Sequence, residues 1–104
     1  MQNAGIATLG LDWRYLAFDV HPDDLRAAIA GAQAMKYIGL NLTLPHKLLA
    51  LDLVDELDES ARIWGAVNTI RFEGMRTMGS NTDVTAVAQL IGPLRGARAL
   101  VLGA

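Results

Sequence analysis

Leucine recurs at every second position in Leu40-Asn41-Leu42-Thr43-Leu44, and Pro45 ends the pattern. Such alternation is the mark of a strand with one buried face. Tyr37 to Leu44 therefore reads as a strand, with Asn41 and Thr43 projecting together from its polar face. Proline cannot extend a sheet, but its fixed φ suits the first turn of a helix. The order is strand, polar tip, helix start, and open α/β sheets hold their ligands beyond the carboxyl ends of their strands. Lys47 falls in the first helical turn, beside that tip. A cation there opposes the helix dipole, so a partner or ligand explains its position better than helix stability does.

The 104 residues allow one domain with a modest core. A hydrophobic share of 52% against 19% charged residues marks a globular chain rather than a disordered one. The net charge is −2 and the basic residues are scattered, so nothing points to nucleic acid. No apolar run approaches bilayer length, which argues against a membrane partner. Without cysteine there is no disulfide, thiolate nucleophile or cysteine zinc site, and His21 and His46 are too few for a histidine metal cluster. Met1 leads into Gln-Asn-Ala-Gly rather than a basic and then apolar segment, so the expected setting is a reducing cytoplasm. The expected partner is a small molecule; the oligomeric state is left open.

Along the chain, residues 1–11 have helical character with Gly10 as a stop, and Trp13 to Val20 reads as a strand. His21-Pro22-Asp23-Asp24 opens a turn into an alanine-rich helix over Leu25 to Met35, whose inner stripe is Leu25, Ile29 and either Ala28 or Ala32. From Pro45 to Leu57 the apolar positions fit a helix buried over a broad face, and Ala61 to Trp64 reads as a further helical turn. Val67 to Phe72 and Met75 to Gly79 form an expected hairpin about Glu73-Gly74. Asn81 or Thr82 caps a helix that runs to Ile91 and ends at Gly92-Pro93. Arg98 to Leu102 has the look of a buried strand, and it enters Gly103-Ala104 as a dinucleotide-binding βα turn would begin. Trp13 and Trp64 are expected to be packing residues.

Four groups of polar residues fall at element ends: Asn41 with Thr43, Lys47, Asn68 with Thr69, and Asn81-Thr82-Asp83. Amides and hydroxyls both donate and accept, so their convergence suits a polyhydroxylated ligand. A lysine and an aspartate beside such a ligand add proton transfer, for which a lysine needs its proton held by a partner or its pKa lowered by burial. Asp83 is the nearest plausible partner for Lys47 by placement. Each residue also has a plain structural explanation. Asn41 and Thr43 fit the open face of an amphipathic strand, Lys47 a solvated helix position, Asn68 a turn, and Asp83 a helix cap favoured by the dipole. His46 reads as a spacer at the helix start.

Asn41-Leu-Thr43-Leu-Pro45-His46-Lys47, then Gly65-Ala-Val-Asn68-Thr69, then Asn81-Thr82-Asp83, in this order and at these intervals, resemble the shikimate dehydrogenase family. The resemblance implies an α/β fold, a mostly parallel sheet flanked by helices. It divides the chain into a substrate-binding domain over 1–92, without the family's first strand and its Ser-x-Ser-Pro stretch, and the start of an NADP-binding domain over 93–104. It implies reversible reduction of 3-dehydroshikimate to shikimate with NADPH in a longer parent, the 104 residues alone being inactive. Lys47 and Asp83 become the catalytic pair, and Asn41, Thr43 and Asn68 line the substrate pocket with them. Gly103 and Ala104 open the cofactor site, and Val84 stands where the family usually has glycine. A non-catalytic module binding a polyol acid, and a relative acting on quinate or an amino analogue, remain as alternatives.

Overall fold

The computed structural model describes residues 1–93 together with 96 and 98. After a first helix, α1 (Gln2–Thr8), which buries no residue, the core grows from one helix face and the strands beneath it. In α2 (Leu25–Ala34), Leu25, Ile29 and Ala32 recur at helical spacing and are buried, so Ala32 rather than Ala28 completes the stripe. Leu25 and Ile29 pack with Ala50, Ala61, Val67 and Ile70, and Leu40, Leu42, Leu57 and Phe72 close the edges. Before α2 the chain turns through Pro22–Asp24, where His21 Nδ1 accepts from the Asp23 amide at 3.3 Å.

Four strands form the sheet: β1 (Gly39–Asn41), β2 (Glu56–Leu57), β3 (Thr69–Glu73) and β4 (Arg76–Ser80), in the order β1-β3-β4-β2. β3 pairs antiparallel with both β1 and β4, and only β2 runs parallel to its neighbour β4. Helices flank the sheet as an α/β fold requires. The sheet is nevertheless mixed where a mostly parallel one was expected. The cause is local: only Gly74 and Met75 separate β3 from β4, and Gly74 takes a positive φ of 63° that a tight hairpin exploits.

Three local expectations are corrected. Trp13 to Val20 makes no ladder. Instead the Asn3 side chain substitutes for a neighbouring strand, accepting from the Tyr15 amide at 2.7 Å and donating to its carbonyl at 2.9 Å. No strand among the described residues pairs with the rest of that segment, although the Phe18 ring lies 6.4 Å from that of Tyr37, and Trp13, like Trp64 on α4 (Glu59–Trp64), is exposed rather than packed. The strand expected over Tyr37 to Leu44 shortens to three residues, although Leu42 N still donates to Asn68 O at 2.7 Å in the same register just beyond it.

The helix expected from Pro45 to Leu57 divides. Pro45 follows a cis peptide and precedes α3 (His46–Leu49), which is a single turn; Ala50–Asp52 is a 3-10 turn, and the chain then straightens into β2. A long-range contact overrides the helical pattern. Asp55 Oδ2 accepts from Thr77 N at 2.7 Å and from Thr77 Oγ1 at 2.8 Å, while Asp55 N donates to that same hydroxyl oxygen at 2.8 Å. This clasp lays β2 along β4. The strand expected over 98–102 falls almost entirely outside the described residues, as do Gly103 and Ala104.

Gly39 lies against β3 so closely that a Cβ there would collide with the Ile70 carbonyl oxygen, a backbone atom with no freedom to move aside. Gly39→Ala should therefore destabilise the fold by about 1–3 kcal/mol. It should also speed exchange of the Phe72 amide, which donates to Ile38 O. A thermal melt with hydrogen exchange checks both; a wild-type melt would contradict the close approach.

Hydrogen bonds from the Thr77 hydroxyl and amide hold the Asp55 carboxyl below its ordinary range, burial opposing them and the charge of Arg76 adding to them. At Asp58 burial pushes the carboxyl up, but hydrogen bonds from Ser60 and from the Ala61 and Ser60 amides, with Arg62 nearby, outweigh it and the net shift is downward. A lowered folded-state pKa contributes stability above the unfolded carboxylate value, and that contribution disappears as the pH falls through the folded value. Urea midpoints should fall as the solution is taken from neutral through the carboxylate range, and Asp55→Asn should flatten that slope. An unchanged slope would exclude Asp55 as a source of the acid sensitivity.

Candidate active site

Asp58 begins the construction of the site. As N-cap of α4 it accepts from Ala61 N at 2.9 Å, and Gly65 ends that helix one turn later. The short Ala66–Val67 link then runs under α3, where Val67 N donates to Lys47 O at 2.8 Å. Asn68 follows at the mouth of β3, and α5 (Thr82–Ile91) begins opposite it with Asn81 as N-cap. Asp83 therefore sits in the first turn of α5, where the helix dipole favours a carboxylate.

Lys47 and Asp83, 36 residues apart in the chain, meet here: Nζ lies 2.6 Å from Oδ2. The lysine side chain is 26% exposed and the aspartate 57%, so the pair stands at the surface with its carboxylate open to solvent. The hydrogen bond from Lys47 holds the Asp83 carboxyl below its usual range. Burial opposes it, and the lysine charge and the nearby Asn68 amide add to it. The helix-dipole cost anticipated for Lys47 is small, since α3 is only four residues long, and the neutralising partner is the carboxylate of α5.

Beside the pair runs a line of neutral groups. Asn41 Nδ2 donates to Thr69 Oγ1 at 3.1 Å, and Thr69 Oγ1 donates to Asn68 Oδ1 at 2.9 Å. Asn68 Oδ1 also accepts from Thr82 N at 3.0 Å, and Asn68 Nδ2 donates to Thr82 Oγ1 at 3.0 Å. Asn68 is only 6% exposed and its amide is engaged at both ends. It ties the tip of β1 to the start of α5.

The structure thus brings Lys47, Asp83, Asn68 and Asn41 into one connected cluster. Thr43 lies exposed two residues beyond β1, where its carbonyl accepts from His46 N at 2.9 Å. Gly103 and Ala104 lie outside the described residues. His46 is half-buried, with Nδ1 enclosed and without a hydrogen-bond partner among the described residues. A hollow of about 360 Å³ opens beside α5, lined among others by Asp58, Ser60, Thr82 and Gln89; neither Lys47 nor Asp83 lines it.

The sequence reading counts Thr69 and Thr82 among the polar groups at element ends, with Thr82 as a possible cap, but does not join their hydroxyls to Asn68, and it passes over Ser60. Hydroxyls that bridge two amides leave no periodic signal; only their position beside Asn68 and Asp83 hinted at a role. An ammonium beside a carboxylate, flanked by amides and hydroxyls, can bind several hydroxyl groups and move one proton. Among the described residues no group of three or more His, Cys, Asp or Glu side chains is arranged to hold a metal.

Comparison with known proteins bears on the family and the fold. Residues 1–70 match the family model for the shikimate dehydrogenase substrate binding domain. The shikimate dehydrogenase (NADP(+)) of Geobacter metallireducens is 43% identical over 109 aligned positions, which cover 100% of this chain and 38% of the relative. A crystal structure of a shikimate dehydrogenase in complex with NADP+ superposes with a TM-score of 0.83 at 38% identity, over 93% of this chain and 34% of that one. The ligand-free 5-ketofructose reductase of Gluconobacter sp. strain CHM43 superposes with a TM-score of 0.81 at 40% identity, over 86% of this chain and 32% of that one. The chain thus spans little more than a third of the length of the relatives it matches. With two thirds of its residues inside the family model and the fold shared with these structures, the chain belongs to the shikimate dehydrogenase substrate-binding domain family.

Proposed function

We propose that residues 1–92 form the substrate-binding part of an NADP-dependent shikimate dehydrogenase and that 93–104 begin its cofactor-binding part. The observation that carries this reading is the 2.6 Å contact of Lys47 with Asp83 beside the Asn41–Thr69–Asn68 line of donors and acceptors. On this reading Lys47 and Asp83 are catalytic, and Asn41, Thr43 and Asn68 hold the hydroxyl groups of the substrate.

NADPH would supply a hydride when bound, and NADP+ would take one up in the reverse direction. Its proposed first contacts, Gly103 and Ala104, lie outside the described residues, and the cluster around Asn68 is suited to hydroxyl groups rather than to a nucleotide. The part played by the described residues is protonic. As the substrate carbonyl carbon becomes tetrahedral, negative charge gathers on its oxygen, and the Lys47 ammonium stabilises that charge and delivers a proton to it. Asp83 orients the ammonium through the contact at 2.6 Å and, with a carboxylate more than half exposed, has lone pairs free for a neighbouring substrate hydroxyl. In the oxidative direction the same lysine, as the free amine, takes the hydroxyl proton. The 104 residues alone are proposed to bind substrate without turning it over.

The likeness to a 5-ketofructose reductase favours a second reading of the same chemistry, with a ketose in place of a cyclic keto acid. Both are polyhydroxylated ketones, and the amide and hydroxyl line at Asn41, Thr69 and Asn68 serves either. A substrate carboxylate separates them. An assay of the polypeptide that carries this chain, following NADPH with 3-dehydroshikimate and with 5-ketofructose in turn, decides which is reduced.

In that polypeptide Lys47→Ala should lower kcat by about 10²–10⁴ while changing KM modestly, as for a proton-transfer group that acts mainly in the transition state. Steady-state kinetics on both substrates measures this. A variant that retains near-normal kcat would remove Lys47 from its assigned part.

A further inference from the structure

We infer that Ser60 is a positioning residue: its hydroxyl pins the backbone of Asn81 and thereby holds the start of α5 where Asp83 meets Lys47. This rests on the reading of Lys47 and Asp83 as the reacting pair.

The geometry begins at Asp58. A hydroxyl has one hydrogen to donate and two lone pairs to accept with. Ser60 Oγ donates its hydrogen to Asp58 Oδ1 at 2.6 Å, an acceptor already fixed by capping Ala61 N at 2.9 Å. The carboxylate takes the only hydrogen, so the hydroxyl is left as an acceptor, and Asn81 N donates to it at 2.8 Å. Asn81 is 5% exposed, and a buried amide hydrogen needs a partner. Ser60 is the acceptor the structure gives it. The caps of two helices are in this way joined through one side chain.

Asn81 in turn reaches both members of the pair. Its Oδ1 accepts from Val84 N at 3.4 Å, which closes the first turn of α5 around Asp83. Its Nδ2 donates to Ala66 O at 3.1 Å, and the next residue, Val67, donates its amide to Lys47 O at 2.8 Å. A displaced Asn81 therefore disturbs the backbone under Asp83 directly and that under Lys47 through one peptide link. The Lys47–Asp83 contact has little else to hold it at an open surface, because exposed charges gain little from one another unless their backbones fix the geometry. The Asn68–Thr82 bonds secure the other side of the same helix start. Ser60 and Asn68 thus grip it from opposite neighbours in sequence.

The test is a carbon-13 NMR titration of the Asp83 carboxyl in the 104-residue chain, run beside amide exchange at Asn81 and far-UV circular dichroism. Lys47→Ala should raise the Asp83 midpoint, since the lysine hydrogen bond is what lowers it most. Ser60→Ala should raise it in the same direction by a smaller step and speed exchange of the Asn81 amide, with an unchanged helix spectrum. Ser60→Cys, close in size but a weak acceptor, should do likewise, and Ser60→Thr, which keeps a hydroxyl, should restore the wild-type midpoint. Wild-type midpoints in the Ala and Cys variants, with Lys47→Ala shifted, would overturn the positioning role and leave the pair intact. A midpoint in Ser60→Thr raised as far as in Ser60→Ala would also overturn it, as would loss of fold in both the Ala and Cys variants, which assigns Ser60 to global stability. No shift in Lys47→Ala would sink the pair itself, and the positioning role with it.

Discussion

A single buried amide group ties the molecule together. Asn68 donates its main-chain hydrogen to Ser80 O at 3.0 Å, and its carbonyl accepts from Leu42 N at 2.7 Å. Its side chain engages Thr69 and Thr82. β3, β4, the end of β1 and the start of α5 are therefore all referred to one residue. Removing a partner from so enclosed a polar group leaves it unsatisfied, which costs more than the bond itself contributes. The site inherits its rigidity from that penalty: elements that share Asn68 cannot drift apart independently, and Lys47 and Asp83 stand on two segments that flank it.

The elements legible in sequence are those whose determinants are local. α2 follows from Leu25, Ile29 and Ala32 at helical spacing, and α5 from Asn81 as a cap three residues before the Val84 amide it accepts. The hairpin follows from Gly74. What local pattern cannot supply is a partner. Pro45 to Leu57 has the leucine spacing of a helix, yet the Asp55–Thr77 clasp, 22 residues long in sequence, draws its last two residues into a strand. Trp13 to Val20 has the composition of a strand, yet a strand is a relation between two backbones, and its hydrogen bonds at Tyr15 go to a side chain instead.

The candidate site divides along the same line. Lys47 stands out because a cation at a helix start breaks a simpler rule, whereas Asn68 and Asp83 stand out only as polar groups at element ends, each with a plain structural explanation. Their meeting is legible in part from placement at element ends, which makes Asp83 the nearest plausible partner of Lys47, and more firmly through the resemblance of three motifs in register. The resemblance implies a mostly parallel sheet, yet both the expected hairpin and the β1–β3 pairing are antiparallel. Ser60 and Thr82, whose hydroxyls do the joining, have no pattern of their own. Their partners lie 21 and 14 residues away, and nothing in composition reports such a distance.

The openness of the Asp83 carboxylate carries a consequence of its own. In water the attraction between two opposite charges at contact is weak, and it strengthens several-fold as the surrounding dielectric constant falls. A ligand that lies over Lys47 and Asp83 expels the solvent that weakens them. On the proposed function the scaffold brings the two groups within reach and the guest would complete the field between them, so that recognition and readiness arrive as one event.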